Sequence, residues 1–381
     1  MMSALSSVHD MSAGVLFNVN LNIVAAKGIN SGEHFGLAAI FRGELSSSDA
    51  YTLIEINGKP MAWTHPAFDT VNPKWDENFY FQNVPKDSTF KLNLLDTDIY
   101  GDDELGEAQF DTRIIFCDKR TALELPITHN DRKAGIISIK VTCHQLNDTD
   151  IDAVIEEVGP VRYSVHSSHS VGLLNMLTSD DENLKSLAYI VQLHNIPCIM
   201  PVDNEWNKKY KKAQHIFSPD HPEGIVFRNL VKTQHAMVYE HERDSTKYGF
   251  LKTPADFFAL IHNGLRDDRP VLFTYVITSK GWFFSETGAG FFKDMQSKHM
   301  VHSNAADSVK YAGEFRVEIS KNGLHKLVLD NNSGTYTPRK DGLPQLKKLI
   351  ENNFPGIRCE TLDSKDEKSI SRRKEILDTW E

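Results

Sequence analysis

Phe90-Lys91-Leu92-Asn93-Leu94-Leu95-Asp96-Thr97-Asp98-Ile99-Tyr100-Gly101-Asp102-Asp103-Glu104 is the stretch on which the fold turns. Its opening alternates apolar and polar residues, the pattern of a strand buried on one face. From Asp96 onward, five acids fall within nine residues with no base among them. They end before Gly106 and a second plausible strand, so the acids lie on a loop at a strand end. Residues i and i+2 at such an end share a side, which groups Asp96 with Asp98. So many carboxylates in one loop repel one another, and a hard cation removes that repulsion. Calcium takes six to eight oxygen ligands from clusters of this kind. A solvated acidic loop is the alternative reading of the run taken alone.

Working outward, residues 14–26 (GVLFNVNLNIVAA) alternate as a strand, and a long polar, Gly-rich loop follows to Ser48-Asp49-Ala50-Tyr51. Residues 52–56 alternate again, and Asn57-Gly58 is a hairpin turn signal. In Asn72-Pro73-Lys74-Trp75-Asp76-Glu77-Asn78-Phe79-Tyr80-Phe81 the proline sets a turn. Trp75, Phe79 and Phe81 then alternate onto one sheet face, where Trp75 reads as core. Residues 135–142 form a closing strand. Seven or eight short strands separated by turns predict an all-β two-sheet sandwich, whose loops cluster at its ends.

This order of motifs resembles the C2 domain of protein kinase C and synaptotagmin type. The elements that carry the likeness are the Ser-Asp-Ala-Tyr motif, the Asn-Pro-x-Trp-x-Glu-x-Phe motif, the Asp-x-Asp loop, the Asp-Asp-x-x-Gly end and the closing Gly-x-Ile strand. It covers about residues 14–146. The resemblance implies calcium and anionic phospholipid binding, with Asp49, Asp96, Asp98 and Asp103 as the metal ligands. Two departures matter. Gly43 stands where the family usually has an aspartate, with Glu44 beside it, and Ala50 replaces the usual proline. The first loop, residues 27–48, carries Phe35, Leu37, Ile40 and Phe41. They either tuck down as a short helix or enter a bilayer surface. Residues 51–64 hold no clear counterpart of the basic cluster some C2 domains use for phosphoinositides.

A chain of 381 residues predicts two domains. A polar stretch at residues 146–150 separates the sandwich from an α+β domain over residues 160–362, and a charged tail fills residues 363–381. The first residues show neither the basic start nor the apolar core of a signal peptide, and no run suits a membrane span. Cys117, Cys143, Cys198 and Cys359 have no paired spacing, which disfavours a zinc site or a disulfide framework and suits a reducing, cytoplasmic compartment. The net charge of −10 disfavours nucleic acid as a partner. It also means that attraction to anionic lipid needs a local bridge such as calcium.

In the second domain, residues 184–191 read as a short helix, and residues 205–212 as a basic helix face. Residues 255–262 read as a helix behind Thr253-Pro254. Residues 271–277 and 281–284 pair as a hairpin. Residues 311–319 and 325–330 form another, turning at Asn322-Gly323. Residues 343–354 form an amphipathic helix with Leu346, Leu349 and Ile350 on one face. Ser285 to Gly290 reads as a turn, because it lacks the Lys-Ser/Thr of a phosphate loop.

Three segments of this domain have the residue types for chemistry or ligand binding: Lys298-His299-Met300-Val301-His302-Ser303, Tyr311-Ala312-Gly313-Glu314, and Asp330-Asn331-Asn332-Ser333-Gly334-Thr335-Tyr336-Thr337-Pro338. Their order over residues 270–355 resembles the C-terminal part of plant calmodulin-binding IQ-motif proteins and related bacterial proteins, with Thr335 where that pattern has histidine. His302, Ser303, Glu314, Asn331, Ser333 and Tyr336 are thus the candidate ligand-binding residues. His299 and His302 with Glu314 have metal-ligand chemistry, and a base, a hydroxyl and a carboxylate suit acyl or phosphoryl transfer if they converge. Turn-forming residues dominate the third segment, and AGE reads as the start of a strand. The expectation is therefore a calcium-dependent peripheral membrane protein whose second domain binds a partner. The alternatives are a membrane-delivered enzyme and a calcium-independent cytosolic scaffold.

Overall fold

The computed structural model describes residues 15–29, 48–96, 102–115, 117–146, 153–167, 187–205, 208–209, 246–286, 309–333 and 336–380. They divide into two compact units, through Val158 and from Gly159.

The first unit is all β. Its strands are β1 (Leu16–Lys27), β2 (Ala50–Ile56), β3 (Lys59–Trp63), β4 (Lys74–Pro85), β5 (Thr89–Asp96), β6 (Asp103–Asp111), β7 (Thr121–His129), β8 (Arg132–Gln145) and β9 (Glu156–Val158). They run in the order β3-β2-β5-β6-β7-β8-β1-β4-β9. Between β6 and β7 the ladder narrows to the pair Glu107 and Thr128. The strands on either side of that seam fold over one apolar core, as a two-sheet sandwich requires. Ile54, Leu92 and Leu94 from one layer meet Leu21, Phe79 and Ile139 from the other in that core. Phe81 on β4 sets its edge against Phe90 on β5 at 5.9 Å, and Phe90 stacks on Phe110 at 4.9 Å.

The motif residues act locally as their chemistry dictates. Asn57 and Gly58 both have positive φ and turn β2 into β3, the conformation that Asn-Gly favours in a tight hairpin. Asn72 accepts a hydrogen bond from the Gly28 amide at 3.0 Å, and Pro73 accepts one from Ala26 at 3.0 Å. The Asn-Pro turn therefore ties the end of β1 to the start of β4. Trp75 packs on the core, and its indole N–H donates to the Ala50 carbonyl at 3.1 Å. Cys117 and Cys143, far apart in sequence, lie side by side at a parallel bridge. Burial, and then Cys117, push the Cys143 thiol up to about 11. Residues 30–47 of the first loop, with Gly43, Glu44, Phe35, Leu37, Ile40 and Phe41, lie outside the described residues.

β9 extends the sandwich past the expected polar boundary, pairing Tyr80 with Val158 and Gln82 with Glu156. A fragment ending at Val158 is expected to fold alone with a β-type circular dichroism spectrum. One ending at Asp148 should lose about 1–2 kcal/mol in urea unfolding with its edge strand. Equal midpoints for the two fragments would remove β9 from the folding unit.

The second unit has β10 (Val161–Ser167), β11 (Leu187–Gln192), α1 (Ile196–Ile199), β12 (Lys247–Leu251), α2 (Pro254–Leu260), β13 (Leu265–Arg266), β14 (Arg269–Pro270), β15 (Phe273–Thr278), β16 (Gly281–Glu286), β17 (Val309–Ile319), β18 (His325–Asp330), α3 (Leu343–Asn353), β19 (Cys359–Leu362) and α4 (Glu367–Asp378). Eight of the strands form one sheet, ordered β12-β10-β11-β16-β15-β17-β18-β19. It is a mixed, β-rich domain with few helices. Thr253 and Asp256 make a capping box that starts α2. Leu346, Leu349 and Ile350 of α3 are fully buried.

Three expectations are corrected. Residues 187–191 are not helical: they lie in β11, because Tyr189 and Val191 alternate into the core while the backbone pairs with β10 and β16. Residues 184–186 lie outside the described residues. Ala312-Gly313-Glu314 does not open a strand but sits inside β17. Ser285 is not in a turn but buried in β16. The charged tail continues from β19 into α4, docked on the sheet by the contacts given below.

The two sides of this sheet differ. Phe273, Tyr275, Trp282, Phe284, Phe315, Leu327 and Leu329 point into the apolar core. The intervening residues include Arg162, Ser164, Thr274, Ser285, Glu314, Arg316 and Asp330, each no more than 7% exposed. A sheet face with that many buried polar groups needs partners for each of them, and that requirement sets up the second site.

Candidate functional site: two carboxylate clusters

In the first unit, strand register brings the acids together. Ala50 at the start of β2 lies opposite Asp96 at the end of β5, and Asp96 lies opposite Asp103 at the start of β6. The Asp49 amide donates to Asp96 Oδ1 at 2.7 Å. The Asp69 amide donates to Asp49 Oδ1 at 2.9 Å, from a turn held by the Ala50–Ala67 bridge. The Tyr51 hydroxyl donates to Asp102 Oδ2 at 2.8 Å. Burial, and then the Asp102 charge, push the Tyr51 phenol up, so it stays a donor at neutral pH.

Asp49, Asp96 and Asp103 thus share one end of the sandwich, whereas Asp98 lies outside the described residues. Hard carboxylate oxygens are the right donor type for calcium. Among the described residues, however, no group of three His, Cys, Asp or Glu side chains is placed to hold a metal ion. The described arrangement is a pair of carboxylates, each drawing a backbone amide. Asp69 was not singled out by the motif reading, and Asp102 entered it as part of the Asp-Asp-x-x-Gly end but not as a ligand. Asp69 has φ 51, a conformation that aspartate tolerates, but nothing local in the sequence joins it to Asp49.

In the second unit, Glu314 from β17 and Asp330 from the end of β18 form a buried pair, 3% and 2% exposed. The Glu314 amide donates to Asp330 Oδ1 at 3.2 Å, and the Asn332 amide does so at 2.9 Å. Ser369 Oγ donates to Asp330 Oδ2 at 3.0 Å. Arg373 grips Glu314 through Nε and Nη2 at 2.6 and 3.3 Å, and Asn332 Nδ2 donates to the same carboxylate at 2.8 Å. Burial, and then the Glu314 charge, push the Asp330 carboxyl up to about 6. Asp330, Asn332, Ser364, Ser369, Arg373 and Lys374 line a cleft of about 420 Å³.

Of the candidate residues in this domain, Glu314 belongs to the cluster directly. Asn331 accepts from the Ser364 amide at 2.7 Å, and Ser333 Oγ accepts from the Tyr336 amide at 3.1 Å. These two side chains thus brace backbone, as turn residues do. His299, His302 and Ser303 lie outside the described residues. Asp330 headed the third segment without being named a ligand-binding residue, and Ser369 and Arg373 escaped the sequence reading.

Residues 18–125 match the C2 domain family. No curated protein sequence matches the chain. Among solved structures the chain is similar to the first C2 domain of plant Extended Synaptotagmin 1. That likeness is 17% identical, covers 34% of this chain and 96% of that one, and has a TM-score of 0.30. For Extended-Synaptotagmin 2, solved with its SMP domain and two C2 domains, the values are 18%, 36%, 30% and 0.29. For human GIVD cytosolic phospholipase A2 they are 15%, 41%, 20% and 0.29, so this chain spans about a fifth of that protein. At these identities and TM-scores the structural likenesses carry no functional argument. The C2 assignment rests on the family match and on the motifs. The resemblance of residues 270–355 to IQ-motif proteins finds no support in these comparisons. No helix of the described residues is long and apolar enough to cross a membrane.

Proposed function

We propose that the first domain is a C2 module that binds anionic phospholipid through calcium, bringing the second domain and its partner from the cytoplasm to membrane surfaces. The supporting observation is the meeting of Asp49 and Asp96, 47 residues apart in sequence, through the 2.7 Å amide–carboxylate hydrogen bond. Asp103 lies opposite Asp96, and Asp98 completes the proposed ligand set. When bound, calcium would neutralise these carboxylates and bridge them to lipid phosphates. The chain's own part is to hold the carboxylates at one edge and supply amide donors that fix their orientation. With a net charge of −10, the chain as a whole is repelled by anionic lipid, so a local cation is the physical route to binding.

A calcium-independent C2 scaffold is the second reading, favoured by Gly43 in a usual ligand position. Co-sedimentation with phosphatidylserine vesicles separates the two. Wild type is expected to pellet with calcium and to stay in solution with chelator. Asp96→Asn combined with Asp98→Asn should reduce calcium-dependent pelleting at least about tenfold while the circular dichroism spectrum stays unchanged. Equal calcium uptake by wild type and variant in calorimetry would sink the ligand assignment. Vesicle binding that ignores the chelator would establish the scaffold.

A further inference from the structure

The four cysteines of the chain show no paired spacing in sequence, yet strand register brings two of them together. Cys117 stands between β6 and β7, and Cys143 lies near the end of β8. They are partners at a parallel bridge, where the Asp118 amide donates to the Cys143 carbonyl at 2.9 Å. The residues that follow hold the two backbones in this register: His144 Nδ1 and Asp118 Oδ1 share a hydrogen bond at 2.6 Å. Directly opposed residues of neighbouring strands send their side chains to the same side of a sheet. Neighbouring strands run about 4.8 Å apart, and a disulfide bridges Cα separations of about 4.4–6.8 Å.

The two thiols differ in access. Cys143 also lies opposite Val19 of β1 and packs into the sandwich core, 3% exposed. Cys117 is exposed. An oxidant from solvent therefore meets Cys117 first, with Cys143 held beside it. The other cysteines have no such neighbour in register. Cys198 is exposed on the short helix α1, and Cys359 of β19 lies opposite Leu327. Val19 is near the start of β1, whereas the acidic edge lies toward the end of that strand. There Lys74 faces Ala25, and the next residue, Trp75, donates to Ala50. The cysteine pair is thus remote from Asp49 and Asp96.

We propose that Cys117 and Cys143 form a peroxide-responsive thiol pair that closes reversibly to a disulfide, stapling the β6–β7 connection to β8. Cys117 attacks one oxygen of hydrogen peroxide as its thiolate. The O–O bond breaks, and the other oxygen leaves as hydroxide, which takes up the proton the thiol released and becomes water. Cys117 is then a sulfenic acid. The Cys143 sulfur attacks the Cys117 sulfur, and the S–S bond forms as the S–O bond breaks. The departing hydroxide takes the Cys143 proton and leaves as a second water. Both thiols are oxidised and the peroxide is reduced, and a dithiol reductant restores the thiols by exchange. Burial, and then Cys117, push the Cys143 thiol up to about 11, which makes it a poor first target for peroxide. Its place beside Cys117 suits it to the second step, where proximity replaces intrinsic reactivity.

Peptide mapping of the full chain under non-reducing conditions tests this. After brief exposure to hydrogen peroxide at neutral pH, wild type should give a Cys117–Cys143 cross-linked peptide as its dominant disulfide, and dithiothreitol should remove it. The thermal midpoint of the first domain should rise by about 5–10 °C on oxidation and fall back on reduction. Cys117→Ser should show neither the cross-link nor the rise. Cys143→Ala should leave Cys117 as a sulfenic acid that dimedone labels, and Cys198→Ser should behave as wild type. Wild-type Cys117 that stays unmodified, or that takes dimedone without cross-linking, would overturn the pair. So would cross-links from Cys117 to Cys198 or between chains in equal yield, the mark of exposure alone. A Cys117–Cys143 cross-link that leaves the midpoint unchanged would overturn the staple.

Discussion

Gly313→Ala is expected to destabilise the second domain by roughly 3 kcal/mol or more. Gly313 lies in the middle of β17, opposite Tyr275 of β15. A Cβ placed there would overlap the Asp330 carbonyl oxygen and come within 3.0 Å of the Tyr275 hydroxyl. Neither neighbour can move freely. The Tyr275 hydroxyl donates to that same carbonyl at 2.8 Å, and Asp330 is held through its side chain by Glu314, Asn332 and Ser369. A methyl group would therefore separate the end of β18 from β17 and strip the buried Tyr275 hydroxyl of its acceptor, which carries a further desolvation cost. Urea unfolding of the full chain with amide exchange read on β17 and β18 measures the loss, while β1 and β8 of the first unit serve as internal controls. An unchanged midpoint for β17 would show that the strand can slide to accept the methyl group.

That position shows what a single sequence conveys and what it withholds. Gly313 attracted notice as part of Ala-Gly-Glu, but its purpose, the close approach of the Asp330 carbonyl from another strand, has no local signature. Alternation made the strands legible wherever one face is buried, as in β1, β2, β4 and β5. Asn57-Gly58 and Asn322-Gly323 announced their turns through backbone chemistry, and Gly323 has φ 77. β11 was misread because its short apolar run suits either period and only pairing with β10 and β16 decides it. Helix α4 carries little apolar periodicity, since charge fastens it. Its contact from Arg373 to Glu314 spans 59 residues, a distance at which no spacing rule operates. In the first domain the placement of Asp49 beside Asp96 could be expected from motif order. The turn that brings the Asp69 amide to Asp49 could not.

Trp282→Ala should cost the second domain about 3–5 kcal/mol, whereas Trp282→Phe should cost well under half as much. Trp282 is fully buried at the centre of an aromatic cluster. It stacks on Phe257 of α2 at 5.3 Å, meets Phe284 at 4.9 Å and Phe315 at 5.1 Å, and stands edge-on to Tyr275 at 6.2 Å. Truncation to alanine removes all four contacts and leaves a hole between α2 and the sheet that rigid strands on either side cannot close. Phenylalanine keeps a ring against Phe257 and Phe315. Both variants also remove an indole N–H that has no hydrogen-bond partner among the described residues, and a buried donor without an acceptor is itself a penalty. That relief is the same in the two variants, so it offsets a large part of the small volume loss in Trp282→Phe and only a little of the large one in Trp282→Ala. The ratio of the two destabilisations, read from urea midpoints of the second domain, therefore separates packing from polar cost. If Trp282→Phe proves as damaging as Trp282→Ala, the indole N–H has a partner in the folded protein and packing alone does not govern this position.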